Sequence, residues 1–390
     1  MNAINKMSDE GLLYFGYGSN LDEQDWARFC QARGFDGTCL EPVGPAVLPD
    51  QELVFDYFSP SRGGGALNLQ SRVGQVVEGY LFRLSKAGWR ALDRKEGVPS
   101  YYERMRAAAL LPDGREVPVV TYRACAERVT TFQKPSAEYL QICRRGRERF
   151  GLGTAMLEAV AEGREAELRV PGVFAYGTLM RDEARHGLVE EIGLERMQPA
   201  SVSARLHDCG QWPALSLSAA DDGRWVKGEL LVPADLELLL TQLDRIEGFR
   251  GFGQAGSLFR RTLAEVCVDG TEDPQRAWTY VMDEAPQHGE QIPGGCWRAH
   301  RGANHPPKSR GAPTLYWVQD DECVPAETPE QLVEYLSNTS MMPVESTAAF
   351  RERAAYWVKA LFGAKVRTAT DVEFVEDMIR AGAYRAERSH

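Results

Sequence analysis

The sequence predicts an α+β chain built from two tandem copies of one small closed-sheet domain, followed by a mostly helical extension of another kind. Three observations carry this. Phe15-Gly16-Tyr17-Gly18-Ser19-Asn20-Leu21 returns as Phe174-Ala175-Tyr176-Gly177-Thr178-Leu179-Met180, displaced by 159 residues (176 − 17). Leu92-Asp93-Arg94-Lys95-Glu96-Gly97 returns as Leu243-Asp244-Arg245-Ile246-Glu247-Gly248, displaced by 151 (247 − 96). The spacing of both marks a duplicated domain. Finer marks agree: Thr121-Tyr122 matches Thr279-Tyr280, and Arg104 and Arg261 each follow an aromatic, Tyr102 and Phe259, by two residues.

In the first copy, Leu12 to Tyr17 reads as a buried strand broken at Gly18, leading through a polar loop into a helix with Trp26 and Phe29. Extended segments follow at 52–58, 78–84, 105–111 and 117–122, the last two joined by a turn at Pro112-Asp113-Gly114. Four or five such strands suffice for a small closed sheet. Ser85 is placed to cap a helix whose inner face carries Trp89 and Leu92 and which Gly97 ends, so Glu96 falls in its last turn. A second helix is expected over 136–150. The second copy repeats the plan, with strands at 173–176 and 227–232, a helix over 234–246 and paired strands ending at Trp278-Thr279-Tyr280. The expected divisions are 1–155, a helical connector 156–170, 171–302, and an extension 303–390 opened by a Gly302-to-Pro307 loop. In the extension, 314–318 suggests a strand, Thr328-Pro329-Glu330-Gln331 a capping box, and 346–362 and 370–381 helices stopped by Gly363 and Gly382.

Of the 390 residues, 43% are hydrophobic and 26% charged, ordinary for a globular chain. No stretch has the length of an apolar span, and the first residues lack a signal-peptide pattern, so cytoplasmic residence and no membrane partner are the expectations. The eight cysteines are scattered, with no C-x-x-C pair or His/Cys ligand set, and read as reduced packing residues; no metal is expected. A net charge of −11 disfavours nucleic acid, and the basic run Arg144-Arg145-Gly146-Arg147 reads as a solvated helix face.

All six histidines lie outside the first copy, so its proton carrier is not histidine. Ser19 departs from the G-x-S-x-G elbow, and no zincin, P-loop or dinucleotide pattern occurs. What remains is a glutamate at a helix C-terminus facing a glycine-broken loop. The negative end of the helix dipole and apolar neighbours such as Leu92 both disfavour its ionised form and make it a stronger base. The amides of Gly18, Ser19 and Asn20 form a nest for a carboxylate or a developing oxyanion. Alone, Tyr-Gly-Ser-Asn is a turn and a helix-end glutamate a solvated residue; the case rests on both recurring together. Tyr17 and Tyr176 can equally fill a barrel, and Trp26, Trp89 and Trp297 are assigned to packing.

On these residues the chain resembles the gamma-glutamylcyclotransferase family. In the first copy the resemblance runs from Tyr14-to-Leu21 through Leu92-to-Val98 to Pro135-Ser136-Ala137-Glu138-Tyr139. The second copy, from Val173-to-Leu179 through Glu247 to Gly294-to-Arg298, is more similar to the gamma-glutamylamine cyclotransferase, AIG2-like branch. The resemblance implies compact mixed barrels with flanking helices, release of 5-oxoproline from a gamma-glutamyl amide, and no cofactor. It implies Glu96 and Glu247 as the catalytic acid-bases. The implied substrate contacts are Tyr17, Gly18, Ser19, Asn20, Leu21 and Tyr139 in the first copy, and Tyr176, Gly177, Thr178 and Leu179 in the second. The second copy departs from the pattern at Thr178 and Leu179 and has Trp297-Arg298 where a counterpart of Tyr139 is sought, which implies a different amine preference. Two other readings stay open: two pockets that sense a gamma-glutamyl metabolite without turning it over, and a chain whose first copy alone is active. The extension carries no chemistry, and its protein partner is unspecified.

Overall fold

The computed structural model describes residues 11–183, 185–209, 212–217, 223–282, 290–304, 315–318, 322–325, 328–339 and 346–387. β1 (Leu13–Gly16) is short because Gly18 turns the chain into a single 3-10 turn, Ser19–Leu21, and α1 (Glu23–Arg33), capped by Asp22 and stopped by left-handed Gly34. The two extended segments expected at 52–58 and 78–84 are parts of one long hairpin, β2 (Leu40–Ser59) and β3 (Gly64–Leu84). α2 (Lys86–Glu96) follows, with the Ser85 hydroxyl accepting from the Gly88 amide at 3.2 Å and Gly97 at φ 69°. β4 (Tyr102–Leu110) and β5 (Glu116–Ala124) form a hairpin over the expected turn. The sheet closes in the order β1-β3-β2-β4-β5, β1 pairing parallel to β5 and all other neighbours antiparallel.

α3 (Ala137–Arg149), capped by Ser136, lies across the 3-10 turn. The basic run on α3 is not a solvated face. Gly146 sits so close that a Cβ there would be 2.7 Å from the Asp22 amide, and Arg147 is 2% exposed, its guanidinium on the carbonyls of Gly153 and Glu78. Arg145 binds Asp22 at 2.9 Å and Arg144 pairs with Glu158. The packing of α3 on the loop needs a missing side chain and neutralised arginines there. The connector is helical only over α4 (Ala155–Ala161); beyond it the chain is irregular, held by buried Gln75, which donates to the Glu167 carbonyl and accepts from the Arg169 amide.

The second copy repeats the ring. β6 (Val173–Ala175) leads through α5 (His186–Ile192) to β7 (Leu194–Asp208), β8 (Pro213–Leu217) and β9 (Trp225–Pro233). α6 (Leu236–Ile246), capped by Asp235, precedes β10 (Arg260–Val268) and β11 (Gln275–Val281). β6 pairs with β9 and, parallel, with β11, while β7 pairs with β9 and β10, and β10 with β11, so five strands close as in the first copy. β8 and the short β12 (Glu290–Gln291) extend β7 beyond the ring. The second half of the expected plan therefore holds, with β7 and β8 absent from the sequence reading. α7 (Trp297–Asn304) carries helix past Gly302, where a loop was expected; residues 305–307 lie outside the described residues.

The finer repeat marks are hydrogen bonds made twice. Tyr17 Oη donates to the Tyr122 carbonyl at 2.8 Å and Tyr176 Oη to that of Tyr280 at 2.7 Å. Thr121 and Thr279 hydroxyls donate to the carbonyls of Phe15 and Phe174. Tyr122 and Tyr280 hydroxyls reach Asp93 and Asp244. Gly79 and Gly228 give the phenylalanines room, since a Cβ there would fall 2.4 Å from the Phe15 ring or 2.2 Å from the Ala175 carbonyl.

The barrels share a seam. Val47, Val76 and Leu110 of the first belong to the core of the second, and Leu236 and Leu240 of α6 close on Gly74. The Trp278 indole donates to the Gly74 carbonyl at 3.1 Å, and Thr262 and Arg260 donate to that of Gly114. Arg104 pairs bidentately with Asp93 inside the first copy, whereas its counterpart Arg261 is buried and ion-paired across the seam to Asp50, with Asp244 3.4 Å away.

The extension holds β13 (Leu315–Val318), β14 (Glu322–Pro325), α8 (Pro329–Thr339), α9 (Thr347–Phe362), α10 (Asp371–Arg380) and β15 (Tyr384–Glu387), the strands ordered β14-β13-β15. The Thr328 hydroxyl accepts from the Gln331 amide, and Ser346 and Thr370 cap α9 and α10. Thr314, His288, His305 and His390 lie outside the described residues.

Candidate active sites

Glu96 is the last residue of α2, and the Tyr17–Leu21 segment crosses in front of it. Asn20 Nδ2 donates to Glu96 Oε1 at 2.6 Å and to Tyr14 Oη at 2.8 Å, while Asn20 Oδ1 is buried with no partner among the described residues. Burial raises the Glu96 carboxyl above its ordinary range, opposed by the Asn20 hydrogen bond and the charges of Lys95 and Arg62. The amides of Ser19 and Asn20 open the 3-10 turn, where N–H groups have no intrahelical acceptor. Leu21 is buried beneath α3 and serves packing. Tyr139 on α3 is buried against Phe55, its hydroxyl 3.3 Å from the Leu67 amide.

Two residues unread in the sequence, Asp25 and Arg62, join Lys95 of the repeated phrase beside this site. Asp25 of α1 accepts both Arg62 nitrogens at 2.8 Å and Lys95 Nζ at 2.7 Å. Burial raises the Asp25 carboxyl, but the hydrogen bonds and charge of Arg62 and Lys95 hold it well below the usual carboxylate range. Arg62, from the β2–β3 hairpin tip, stacks on Tyr139 at 5.1 Å and reaches Ser19 Oγ at 3.4 Å. Only the glycine run Gly63-Gly64-Gly65 beside it was a sequence signal for a tight tip.

In the second barrel Glu247 follows the last turn of α6, and Gly248, at φ 61°, ends it. Glu247 lines a cavity with Tyr176, Gly177, Thr178, Leu179, Arg185, Trp212, Pro213, Phe259 and Tyr280, of which Arg185, Trp212 and Pro213 had no signal in the repeat. Burial raises its carboxyl to about 7, with the charge of Arg185 pulling the other way. Leu179 and Ile246 stand where the first site has Asn20 and Lys95, so Glu247 lacks the polar surroundings of Glu96. Arg298 of α7 donates to the Arg181 carbonyl at 2.6 Å and to Glu229 at 3.0 Å, so α7 fixes the loop much as α3 does in the first barrel. Trp297 is fully buried packing.

Each barrel thus brings its glutamate and its Tyr-Gly segment together, a half-buried weak acid beside the loop. The seven described free cysteines are unpaired in disulfides. Among the described residues no group of three metal-ligating side chains could hold an ion, and no helix is long and apolar enough to cross a membrane.

A family model described as gamma-glutamyl cyclotransferase, AIG2-like, matches residues 14–141 and 173–299. The gamma-L-glutamyl-butirosin B gamma-glutamyl cyclotransferase of Niallia circulans is 31% identical over 115 residues, 29% of this chain and 68% of that protein. Among solved structures, a gamma-glutamyl cyclotransferase is similar at 24% identity and a TM-score of 0.34, covering 40% of this chain and 89% of that one. An uncharacterised protein of Homo sapiens is similar at 25% identity and a TM-score of 0.33, with coverages of 40% and 89%. YkqA of Bacillus subtilis is similar at 14% identity and a TM-score of 0.26, with coverages of 71% and 88%.

Proposed function

Because the chain belongs to the gamma-glutamyl cyclotransferase, AIG2-like family, we propose that each barrel releases 5-oxoproline and a free amine from a gamma-glutamyl amide, with Glu96 and Glu247 as the proton carriers. The observation that carries the reading is the recurrence of a half-buried, helix-terminal glutamate with a raised pKa against the Tyr-Gly loop in both barrels.

The ionised glutamate takes a proton from the substrate's alpha-ammonium. A carboxyl at about 7 is close to the roughly 7.7–8.0 of an alpha-amine, so that transfer is nearly level. The freed amine attacks the gamma-carbonyl carbon, forming the C–N bond of a five-membered ring and an oxyanion that the loop amides stabilise. The glutamate returns its proton to the departing nitrogen, the original amide bond breaks as the carbonyl re-forms, and the attacking nitrogen's second proton passes through the regenerated carboxylate to the released amine. In the first barrel Asn20 Nδ2 orients Glu96 while its unpartnered Oδ1 is free to accept from the ammonium. Holding the glutamyl chain folded supplies much of the rate, since oriented intramolecular attack reaches effective molarities on the order of 10⁵ M or more.

The substrate class we favour is a gamma-glutamylated amine; the name of the Niallia circulans relative gives gamma-L-glutamyl-butirosin B as the compound on which that enzyme acts. Pockets that only bind have no need of a protonatable base in both copies. The test is mass-spectrometric detection of 5-oxoproline from a panel of gamma-glutamyl amides with wild type, Glu96→Gln, Glu247→Gln and the double variant. Undiminished product from the double variant would refute the assignment of the base; asymmetric loss would identify a single working barrel.

A further inference from the structure

The cavity of the second barrel presents one acid and one cation, each without an ion-pair partner among the described residues, to an otherwise largely apolar enclosure. Arg185 lines it together with Glu247, and its backbone amide is fixed to the Thr178 carbonyl at 2.8 Å. Among the described residues no carboxylate lies within ion-pair distance of its guanidinium, whereas neighbouring Arg298 and Arg301 are taken up by Glu229 and Glu183. Glu247 feels the charge of Arg185 without forming an ion pair with it. The walls between them include Phe174, Leu179, Trp212, Pro213 and Phe259. A half-buried cation over apolar walls is costly unless an anion meets it.

Among its described residues the first barrel has no such group. The position 159 residues earlier is Trp26, a packed residue whose indole donates to the Gly37 carbonyl, and the nearby cations Arg62 and Lys95 are both committed to Asp25. An alpha-amino acid carries its ammonium and its carboxylate on one carbon, so separate unpaired charges of opposite sign on one cavity are its complement. We propose that Arg185 is the residue by which the second barrel recognises the alpha-carboxylate of its gamma-glutamyl ligand, a role the first barrel fills without a dedicated side-chain cation. This rests on the cyclotransferase reading and adds to it a specificity-determining residue that the repeat does not carry.

The test uses the full chain and two lactams, 5-oxoproline and 2-pyrrolidinone, which differ only in the carboxylate. Hydrogen exchange read by mass spectrometry over the Tyr176–Arg185 segment reports occupancy of this cavity separately from the first. Arg185 predicts protection by 5-oxoproline at concentrations at least roughly tenfold below those of 2-pyrrolidinone, because charge-assisted hydrogen bonds are worth one to two decades of affinity. Arg185→Gln erases that preference and Arg185→Lys keeps part of it. In a Glu96→Gln background, Arg185→Gln raises KM at least roughly tenfold, and it moves the acidic limb to higher pH because a charge that lowers the Glu247 pKa is gone. Equal protection by both lactams, no protection by 5-oxoproline, or an unchanged preference in Arg185→Gln overturns the proposal. Carboxylate-dependent protection without any 5-oxoproline formation would instead leave recognition standing and remove the catalytic reading.

Discussion

Arg104 and Arg261 occupy the same place in the two barrels, and the same substitution at each measures what the seam contributes. Arg261 is 1% exposed, faces Asp50 and Asp244, and stacks on Phe249, Phe252 and Trp278 at 5.1–5.3 Å. Arg104 is 26% exposed, bidentate to Asp93 and stacked on Trp89 at 4.8 Å. Arg261→Met keeps the aliphatic packing but strands Asp50 in the seam; breaking a buried pair costs about 3–5 kcal/mol. Arg104→Met loses a solvated pair worth about 0–1 kcal/mol and one cation–π contact worth about 0.5–1 kcal/mol. The expected difference is about 1–4.5 kcal/mol, centred near 3. Because a chain of several domains does not unfold in two states, the assay is native-state hydrogen exchange, comparing opening free energies in β10 and β11 with those in β4 and β5. Asp50→Asn supplies the double-mutant cycle: after Arg261→Met its cost shrinks, since the stranded charge is already unpaired. Equal losses at the two arginines, or additive effects of the Asp50 and Arg261 substitutions, would refute the ion pair as the tie between the barrels.

Glu247 has a folded-state pKa raised from 4.5 to about 7, so the folded chain binds more protons than the unfolded one between those values; stability falls as pH rises through that window and stays lower above it. Glu247→Gln is therefore expected to raise the melting temperature of the second barrel at pH 8 and leave it unchanged near pH 4, by differential scanning calorimetry. In a Glu96→Gln background, kcat/KM should climb to a plateau above about pH 7 as Glu247 ionises. Asn20→Leu copies the second barrel's residue into the first and removes a hydrogen bond that lowers the Glu96 pKa; with Glu247→Gln present, the acidic limb should move upward and kcat/KM drop roughly tenfold or more. Gly146→Ala places a Cβ 2.7 Å from the Asp22 amide and should cost about 1–3 kcal/mol in the first barrel, lowering its turnover while leaving the second barrel's intact.

The duplication was legible because its marks are interior constraints. Tyr17 with Tyr122, Thr121 with Phe15 and Tyr122 with Asp93 are bonds that a closing barrel must make, so they survive at matching positions in both copies. The Ser85 cap was legible from the local sequence, and Ser136, Ser346 and Thr370, read only as the starts of helices, cap theirs as well. The long hairpin was not. Pro42, Gly44, Pro45, Pro49, Asp50 and Gly74 interrupt its alternation, and the register slips at Pro42/Gly44 and Pro49/Gln51 while pairing continues across them. Arg62, Asp25 and Arg185 were hidden because each meets its site through distant chain crossings or lies in a stretch where the two copies have diverged. The arginine run on α3 was misread because charge alone does not reveal that Gly146 brings the helix against the loop.

The irregularity at Asp50 and Gly74 also limits how this molecule can be dismantled. Those two residues form the mid-hairpin kink that accepts Trp278 and Arg261, so a fragment begun after the connector would carry a bare indole N–H, a guanidinium left with Asp244 alone and two leucines of α6 turned to water. The later copy is thus a tenant of the earlier one, able to diverge in its pocket while its scaffold is held from outside. Exchange of the leading barrel for a relative lacking an acid at this kink would unsettle the trailing barrel even with every residue of its own retained.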